Sequence, residues 1–171
     1  MAPLSEHVVL RDLDIPNIAN FEVYLQHGGY EALRAAVTQK TPNDVVETIK
    51  ASGLRGRGGA GFPTGVKWGF LPKGVYPRYL LCNCDESEPG TFNNHQIIDR
   101  NPQQLIEGVA ISTYAIEAHL AFIYCRGEFA AAARRLQQAV DDAEAAKRVE
   151  EAKAHEGVTF KPGQPMVDVS N

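Results

Sequence analysis

Arg78-Tyr79-Leu80-Leu81-Cys82-Asn83 is a nearly continuous apolar run that closes in a polar residue. Such a run suits a strand buried on both faces, as in a parallel sheet. Pro102 to Glu117 follows, with Leu105, Ile106, Val109, Ala110 and Thr113 at helical intervals. Leu120-Ala121-Phe122-Ile123-Tyr124-Cys125 is a second buried-strand pattern, and an Ala-rich helix is expected from about Glu128 to Ala154. Strand, helix, strand, helix predicts an α/β unit with a right-handed crossover. Upstream, Gly29 to Val37 has helical spacing and strong helix formers. A second helix should begin near Thr41, an N-cap with Pro42 in the first helical position, and end at Gly53. Val8 to Ile18 reads as an extended lead-in.

Between these helices and the first strand lies Gly53-Leu54-Arg55-Gly56-Arg57-Gly58-Gly59-Ala60-Gly61-Phe62-Pro63-Thr64-Gly65-Val66-Lys67. Glycine lets backbone approach a ligand closely, and bare N–H groups beside cations make a cradle for phosphate or another anion. Flexible linkers and RGG-type segments are the alternatives. A linker would be richer in Ser, whereas Phe62, Pro63, Trp68 and Phe70 imply a packed loop; an RGG segment would repeat in a basic chain. Gly56-Arg57-Gly58-Gly59-Ala60-Gly61 satisfies G-x-G-x-x-G, but that fingerprint should follow a strand and open a helix. The Walker pattern also fails, because Gly61 and Gly65 are one residue too close and Val66 separates Gly65 from Lys67.

Asn83-Cys84-Asp85-Glu86-Ser87-Glu88-Pro89-Gly90-Thr91 follows the first strand. The carboxyl ends of strands are where open α/β sheets bind ligands. Asn83 offers donors and acceptors to a ring edge or ribityl chain, and Asp85, Glu86 and Glu88 offer acceptors. The plain alternative is a solvated acidic turn around Pro89-Gly90. Mg²⁺ or Ca²⁺ on the carboxylates is a lesser reading, since the EF-hand spacing is absent. His95 and His119 lack partners in the pattern and read as surface or core histidines. Cys82, Cys84 and Cys125 are too few for four-cysteine cluster ligation and read as reduced core thiols.

The net charge of −4 argues against a general nucleic-acid binder. No apolar stretch reaches the length of a membrane span, and the first residues lack the apolar core of a signal peptide. A soluble, intracellular protein is expected, with any membrane association made through partners.

Taken together, the glycine stretch through Trp68, the Asn83–Thr91 stretch, and Ile123-Tyr124-Cys125-Arg126-Gly127-Glu128-Phe129 resemble the flavin-bearing subunit of NADH:quinone oxidoreductase, respiratory complex I. The same module occurs in diaphorase subunits of NAD-linked hydrogenases and formate dehydrogenases. The resemblance runs from about Val8 to about Ala146. It implies a Rossmann-like FMN-binding α/β domain whose chemistry is hydride transfer from NADH to FMN and electron transfer on to iron–sulfur clusters. It further implies that Gly56, Arg57, Gly58, Gly59, Lys67, Asn83 and Asp85 line FMN, that Phe62 and Phe70 lie against the adenine of NADH, and that Glu86 and Glu88 lie near the nicotinamide. No protein group is implied as catalytic, because the cofactor carries the chemistry. The implied partners are other subunits of a multi-subunit redox complex, above all a thioredoxin-like [2Fe–2S] subunit, in a cytoplasmic location peripheral to the membrane.

The family pattern continues with a second glycine-and-glutamate motif, a ubiquitin-like region and four cysteines for a [4Fe–4S] cluster. None of these occurs before Asn171. Cys84 stands where the family usually has alanine, and Asn93-Asn94-His95 replaces a more charged stretch. The expected organisation is therefore an extended segment and helix over residues 1–40, a partial Rossmann-like FMN/NADH-binding domain over 41–154, and an irregular tail over 155–171. An amino-terminal piece of such a subunit is the leading expectation; a non-catalytic assembly fragment of the same complex is the alternative.

Overall fold

The computed structural model describes residues 8–10, 12–57, 59–154 and 167–168. Thr41 caps a helix as its sequence requires. Its hydroxyl accepts from the Asp44 N–H, the Asp44 carboxylate accepts from the Thr41 N–H, and Pro42 takes the first helical position. That helix, α3 (Pro42–Ala51), follows α1 (Phe21–Gln26) and α2 (Glu31–Gln39), and precedes a short α4 (Thr64–Trp68). β1 (Tyr79–Cys84), α5 (Asn93–Arg100), α6 (Pro102–Ala115), β2 (Leu120–Cys125), a 3-10 turn (Gly127–Phe129) and α7 (Ala130–Ala154) come next. A two-residue β3 (Val167–Asp168) completes the described elements.

The sheet has the order β1-β2-β3 and all pairing is parallel. Tyr79 lies opposite Leu120, Asn83 opposite Tyr124, and Cys84 opposite Cys125. α6 connects β1 to β2, so the α/β expectation holds in its order and its strand direction. Ile98 of α5, Ile106 and Val109 of α6, and Leu136 and Val140 of α7 pack on Ala121, Ile123, Cys84 and Cys125. A second, smaller core joins Ala36 of α2 and Val45 and Val46 of α3 to Ala115 of α6, with Trp68 against it. The two cores share α6, which therefore carries the glycine-loop side of the molecule and the sheet together.

Four expectations need correcting. Val8 to Ile18 is not extended: among the described residues it is a chain of turns, with Leu13 bonded back to Leu10, Ile15 to Asp12 and Ile18 to Ile15. Asp12, Asp14, Pro16 and Asn17 are turn formers, and Asn17 sits at φ 61°. Secondly, α1 and α5 stand where the sequence pattern predicts no helix. α1 is capped by the Asn20 side chain, which accepts from the Glu22 and Val23 N–H groups. Thirdly, the strands are buried on one face only, because α5, α6 and α7 all pack on that side. Tyr79 is 59% exposed, Leu81 69% and Tyr124 51% on the other. Lastly, Val167 and Asp168, placed in an irregular tail by the sequence, pair with Ala121 and Phe122; residues 155–166 and 169–171 lie outside the described residues.

All three cysteines are free thiols, with Cys84 and Cys125 buried. Burial pushes the Cys125 thiol above its ordinary range.

Candidate functional site

The glycine loop is tied at its neck and open at its tip. Arg55 and Pro63 form an antiparallel bridge. The Gly56 N–H donates to Phe62 O at 2.9 Å, and the Thr64 N–H donates to Leu54 O at 2.8 Å. Arg55 Nε donates to Gly61 O at 2.6 Å, spending this arginine on the loop's own shape. Gly59 at φ 133° and Gly61 at φ 61° occupy backbone regions that side chains resist. Across the neck the Phe62 and Phe70 rings meet with centroids 5.9 Å apart, and both remain exposed.

At the tip the backbone N–H groups of Arg57, Gly59 and Ala60 make no hydrogen bond among the described residues. The Arg57 and Lys67 side chains are exposed and have no ion pair among those residues. A side chain at Gly59 would meet nothing within 4 Å. Free donors, two uncommitted cations and open space have the sign and room that a phosphate monoester needs. Gly58 lies outside the described residues.

The second group of residues sits at the carboxyl ends of β1 and β2. Asn83 Oδ1 accepts from the Asp85 N–H at 2.8 Å, and its amide NH₂ makes no hydrogen bond among the described residues. Asp85 Oδ1 accepts from Ser87 Oγ at 2.7 Å. Asn83 points to the open face of the sheet, beside Tyr124 in register. Glu88 is exposed, and its carbonyl closes the turn by accepting from Thr91. No hydrogen bond or ion pair links the glycine loop to this turn among the described residues.

Glu86 points the other way. It is 8% exposed, and its carboxylate accepts the N–H groups of Asn94 at 3.1 Å and His95 at 3.3 Å. It thus satisfies the first turn of α5, where Phe92 offers no side-chain cap. His95, expected without a partner, has its Nδ1 3.3 Å from Glu86 Oε2 and its ring 3.9 Å from that of Phe129. Burial works against the charged form of Glu86, but the N–H groups of Asn94, His95 and Asn93 and the His95 ring outweigh it, holding the carboxyl below its usual range. A depressed folded value means that this stabilisation is present above the unfolded pKa and lost as pH falls through the folded one. The Asn94 and His95 amide resonances should therefore shift together, with a midpoint below the about 4.3 of an unperturbed Glu. A midpoint at or above that value would show that the carboxylate does not anchor α5.

Two residues that the motif reading left without roles stand beside the predicted ones. Tyr124 flanks Asn83 on the open face, and Arg126 reaches the turn from beyond β2. The signal for Tyr124 was strand register, which needs the pairing of β1 with β2 and is absent from either strand alone.

A family model described as the Nuo51 FMN-binding domain matches residues 49–163, a span that takes in the glycine loop and both strand ends. The chain belongs to that family. Within it, the chain is 53% identical over 141 residues to an F-type subunit of the NADH-quinone oxidoreductase of Rhizobium meliloti, covering 82% of this chain and 34% of that relative. It is 46% identical over 142 residues to the F-type subunit of the NADH-quinone oxidoreductase of Aquifex aeolicus, covering 83% and 33%. The crystal structure of an air-oxidised NAD⁺-reducing [NiFe]-hydrogenase matches with a TM-score of 0.62 at 33% identity, over 82% of this chain and 23% of that one. The chain thus spans about a third of the length of these curated Nuo51-family relatives. Among the described residues no helix is long and apolar enough to cross a membrane.

Proposed function

We propose that this chain builds one wall of an FMN and NADH site in an NADH dehydrogenase-type flavoprotein subunit. The observation that carries this reading is the tip of the glycine loop, where the N–H groups of Arg57, Gly59 and Ala60 and the side chains of Arg57 and Lys67 have no partner among the described residues. Gly56, Arg57, Gly58, Gly59 and Lys67 hold the FMN phosphate, while the Asn83 amide and the Asp85 carboxylate take the polar edge of the ring or the ribityl chain. Phe62 and Phe70 offer an exposed aromatic surface for the adenine of NADH, and Glu88 faces the nucleotide. Glu86 supports the turn from behind. FMN, when bound, supplies the acceptor for a hydride from NADH and the means to pass its electrons on singly. The chain's own residues bind and orient; none is required to move a proton.

In this reading the partners are the other subunits of a multi-subunit redox complex, including a thioredoxin-like [2Fe–2S] subunit, and the three cysteines of this sequence are not ligands of the family's [4Fe–4S] cluster. The location is cytoplasmic and peripheral to the membrane. A second reading, an assembly fragment of the same complex, is favoured by the open apolar sheet face of Tyr79, Leu81 and Tyr124.

The test is FMN titration of the purified chain, followed by flavin fluorescence. Arg57→Ala and Lys67→Ala should each weaken binding about tenfold or more, since a hydrogen bond to a charged group is worth ~1.5–3 kcal/mol. Wild-type FMN affinity in both variants would remove the loop from the site. A chain that takes up no FMN but binds a partner subunit would favour the assembly reading.

A further inference from the structure

The turn after β1 carries Asp85 and Glu88 beside Asn83 near the strand's end, yet between Asp85 and Thr91 it holds no regular element. Its own backbone bonds are short-range, Asp85 N–H to Asn83 Oδ1 and Thr91 N–H to Glu88 O. Something outside the turn must fix its direction. One such anchor is the bonding of Glu86 to the first turn of α5. The other comes from β2.

Arg126 lies one residue past β2 and leads into the 3-10 turn. Its guanidinium reaches the β1 turn at two points: Nη1 donates to Glu86 O at 3.3 Å, and Nε lies 3.7 Å from Asp85 Oδ1. On its own side it holds Glu128, with Nη2 donating to Oε1 at 3.3 Å and Nε 3.3 Å from Oε2. Its guanidinium carbon lies 6.0 Å from the centre of the Phe129 ring. One planar, always-charged group therefore spans the ends of two parallel strands, and the fork geometry allows several contacts at once. Both of its Asp85-side neighbours matter for orientation. Ser87 Oγ donates to Asp85 Oδ1 and Arg126 Nε lies beside the same oxygen, so among the described residues the other carboxylate oxygen accepts no hydrogen bond.

We infer that Arg126 is a positioning residue for the strand-end half of the ligand site. It clamps the Asp85–Glu88 turn to the end of β2, so that one oxygen of Asp85 is held beside the outward-facing Asn83 of β1. The clamp stands on the contacts above; its service to a flavin rests on the function proposed in the preceding subsection.

Arg126→Met and Arg126→Lys in the purified chain separate these points. Methionine keeps much of the stem and removes the charge and the fork; lysine restores the charge as a single point. Exchange of the hydrogen-bonded amides of residues 85–91, those of Asp85 and Thr91, should quicken about tenfold in Arg126→Met and recover only partly in Arg126→Lys, while exchange in α6 stays at the wild-type rate. The urea midpoint should change little, because half-exposed ion pairs add ~0–1 kcal/mol to stability. FMN affinity, measured on the same samples, should fall about tenfold in Arg126→Met with a partial return in Arg126→Lys. Wild-type exchange over residues 85–91 in Arg126→Met would overturn the clamp, whatever the flavin does. Faster exchange with unchanged FMN affinity would overturn the positioning role. Full recovery by lysine would show that charge alone acts and that the fork does not. A wild-type chain that takes up no FMN would count against the flavin reading, and the exchange result would still decide the clamp.

Discussion

Glu107→Ala is expected to lower the stability of the fold by about 3 kcal/mol or more, on the scale of ~1–3 kcal/mol for each donor left without a partner. Glu107 is 7% exposed and sits mid-way along α6. Its Oε2 accepts from Tyr24 Oη at 2.6 Å and from the Tyr30 N–H at 3.0 Å, and its Oε1 accepts from the Leu33 N–H at 3.0 Å. One carboxylate thus secures the end of α1, the residue that starts α2, and a free amide in the first turn of α2. Tyr30 Oη adds a fourth tie, donating to Gln103 Oε1 at 2.7 Å. Removing the acceptor strands three donors, and the α1–α2 pair has few other polar ties to α6. A loss of this size is a large fraction of the ~5–15 kcal/mol that holds a typical domain together. Urea unfolding followed by circular dichroism measures it. Glu107→Gln retains one accepting oxygen and should fall between wild type and Ala. A change below about 1 kcal/mol in Glu107→Ala, within the range of an ordinary surface substitution, would show that water replaces the carboxylate at no cost. The same network has an alkaline signature. Burial, and then the hydrogen bond to Glu107, hold the Tyr24 phenol well above its ordinary range. Stability is therefore complete below the unfolded tyrosine pKa of about 10 and is lost as pH rises beyond it.

Gly65→Ala is the second large effect expected, and it acts on the candidate site directly. Gly65 is buried in α4, and a Cβ there would lie 2.6 Å from the Lys50 backbone nitrogen, 2.7 Å from Lys50 Cγ and 3.0 Å from the Val46 carbonyl oxygen. Two of those three atoms are backbone of α3 and cannot rotate aside. The short α4 must then lift away from α3, carrying Lys67 with it and pulling on the neck of the glycine loop through the Thr64 N–H bond to Leu54 O. Overpacking of this kind costs ~1–3 kcal/mol, and FMN affinity should fall as Lys67 moves. Gly108→Ala is the control. A Cβ at Gly108, in the interior of α6, meets nothing within 4 Å, and replacing a helical glycine by alanine should stabilise by ~0.5–1 kcal/mol. If Gly65→Ala matched Gly108→Ala in stability and in FMN affinity, close packing of α4 on α3 would not be what this glycine provides.

The start of α3 was legible because its instructions are local: Thr41, Pro42 and Asp44 cap it whatever the rest of the chain does, while its end falls at Ala51, two residues short of the expected Gly53. The strand–helix–strand order was legible for a related reason, since runs such as Tyr79–Cys84 and Leu120–Cys125 are rich in strand-forming apolar residues of which a sheet buries at least one face. α5 was missed because its N-terminus is anchored from Glu86, in the turn that follows β1, while Phe92 at its start gives no side-chain cap. The local sequence around Asn93 therefore holds only half of the signal. The open face of the sheet was misread for a different reason. Apolar content marks Tyr79, Leu81 and Tyr124 as able to be buried, and only the side on which α5 to α7 pack decides whether they are.

The candidate site divides along the same line. Composition and spacing alone determined that a glycine-rich loop with Arg57 and Lys67 stands before the first strand and that an acidic turn ends it, because backbone freedom and charge are properties of residue type. Tertiary structure decided how each of those residues is spent. Arg55 is bound to its own loop through Gly61, Glu86 is turned inward to α5, and Asp85 is held by Arg126 from just past the neighbouring strand. The physical reason is that a charge has a partner only when the fold brings one within a few ångströms, and the partners of Asp85 and Tyr24 lie 41 and 83 residues away in the chain.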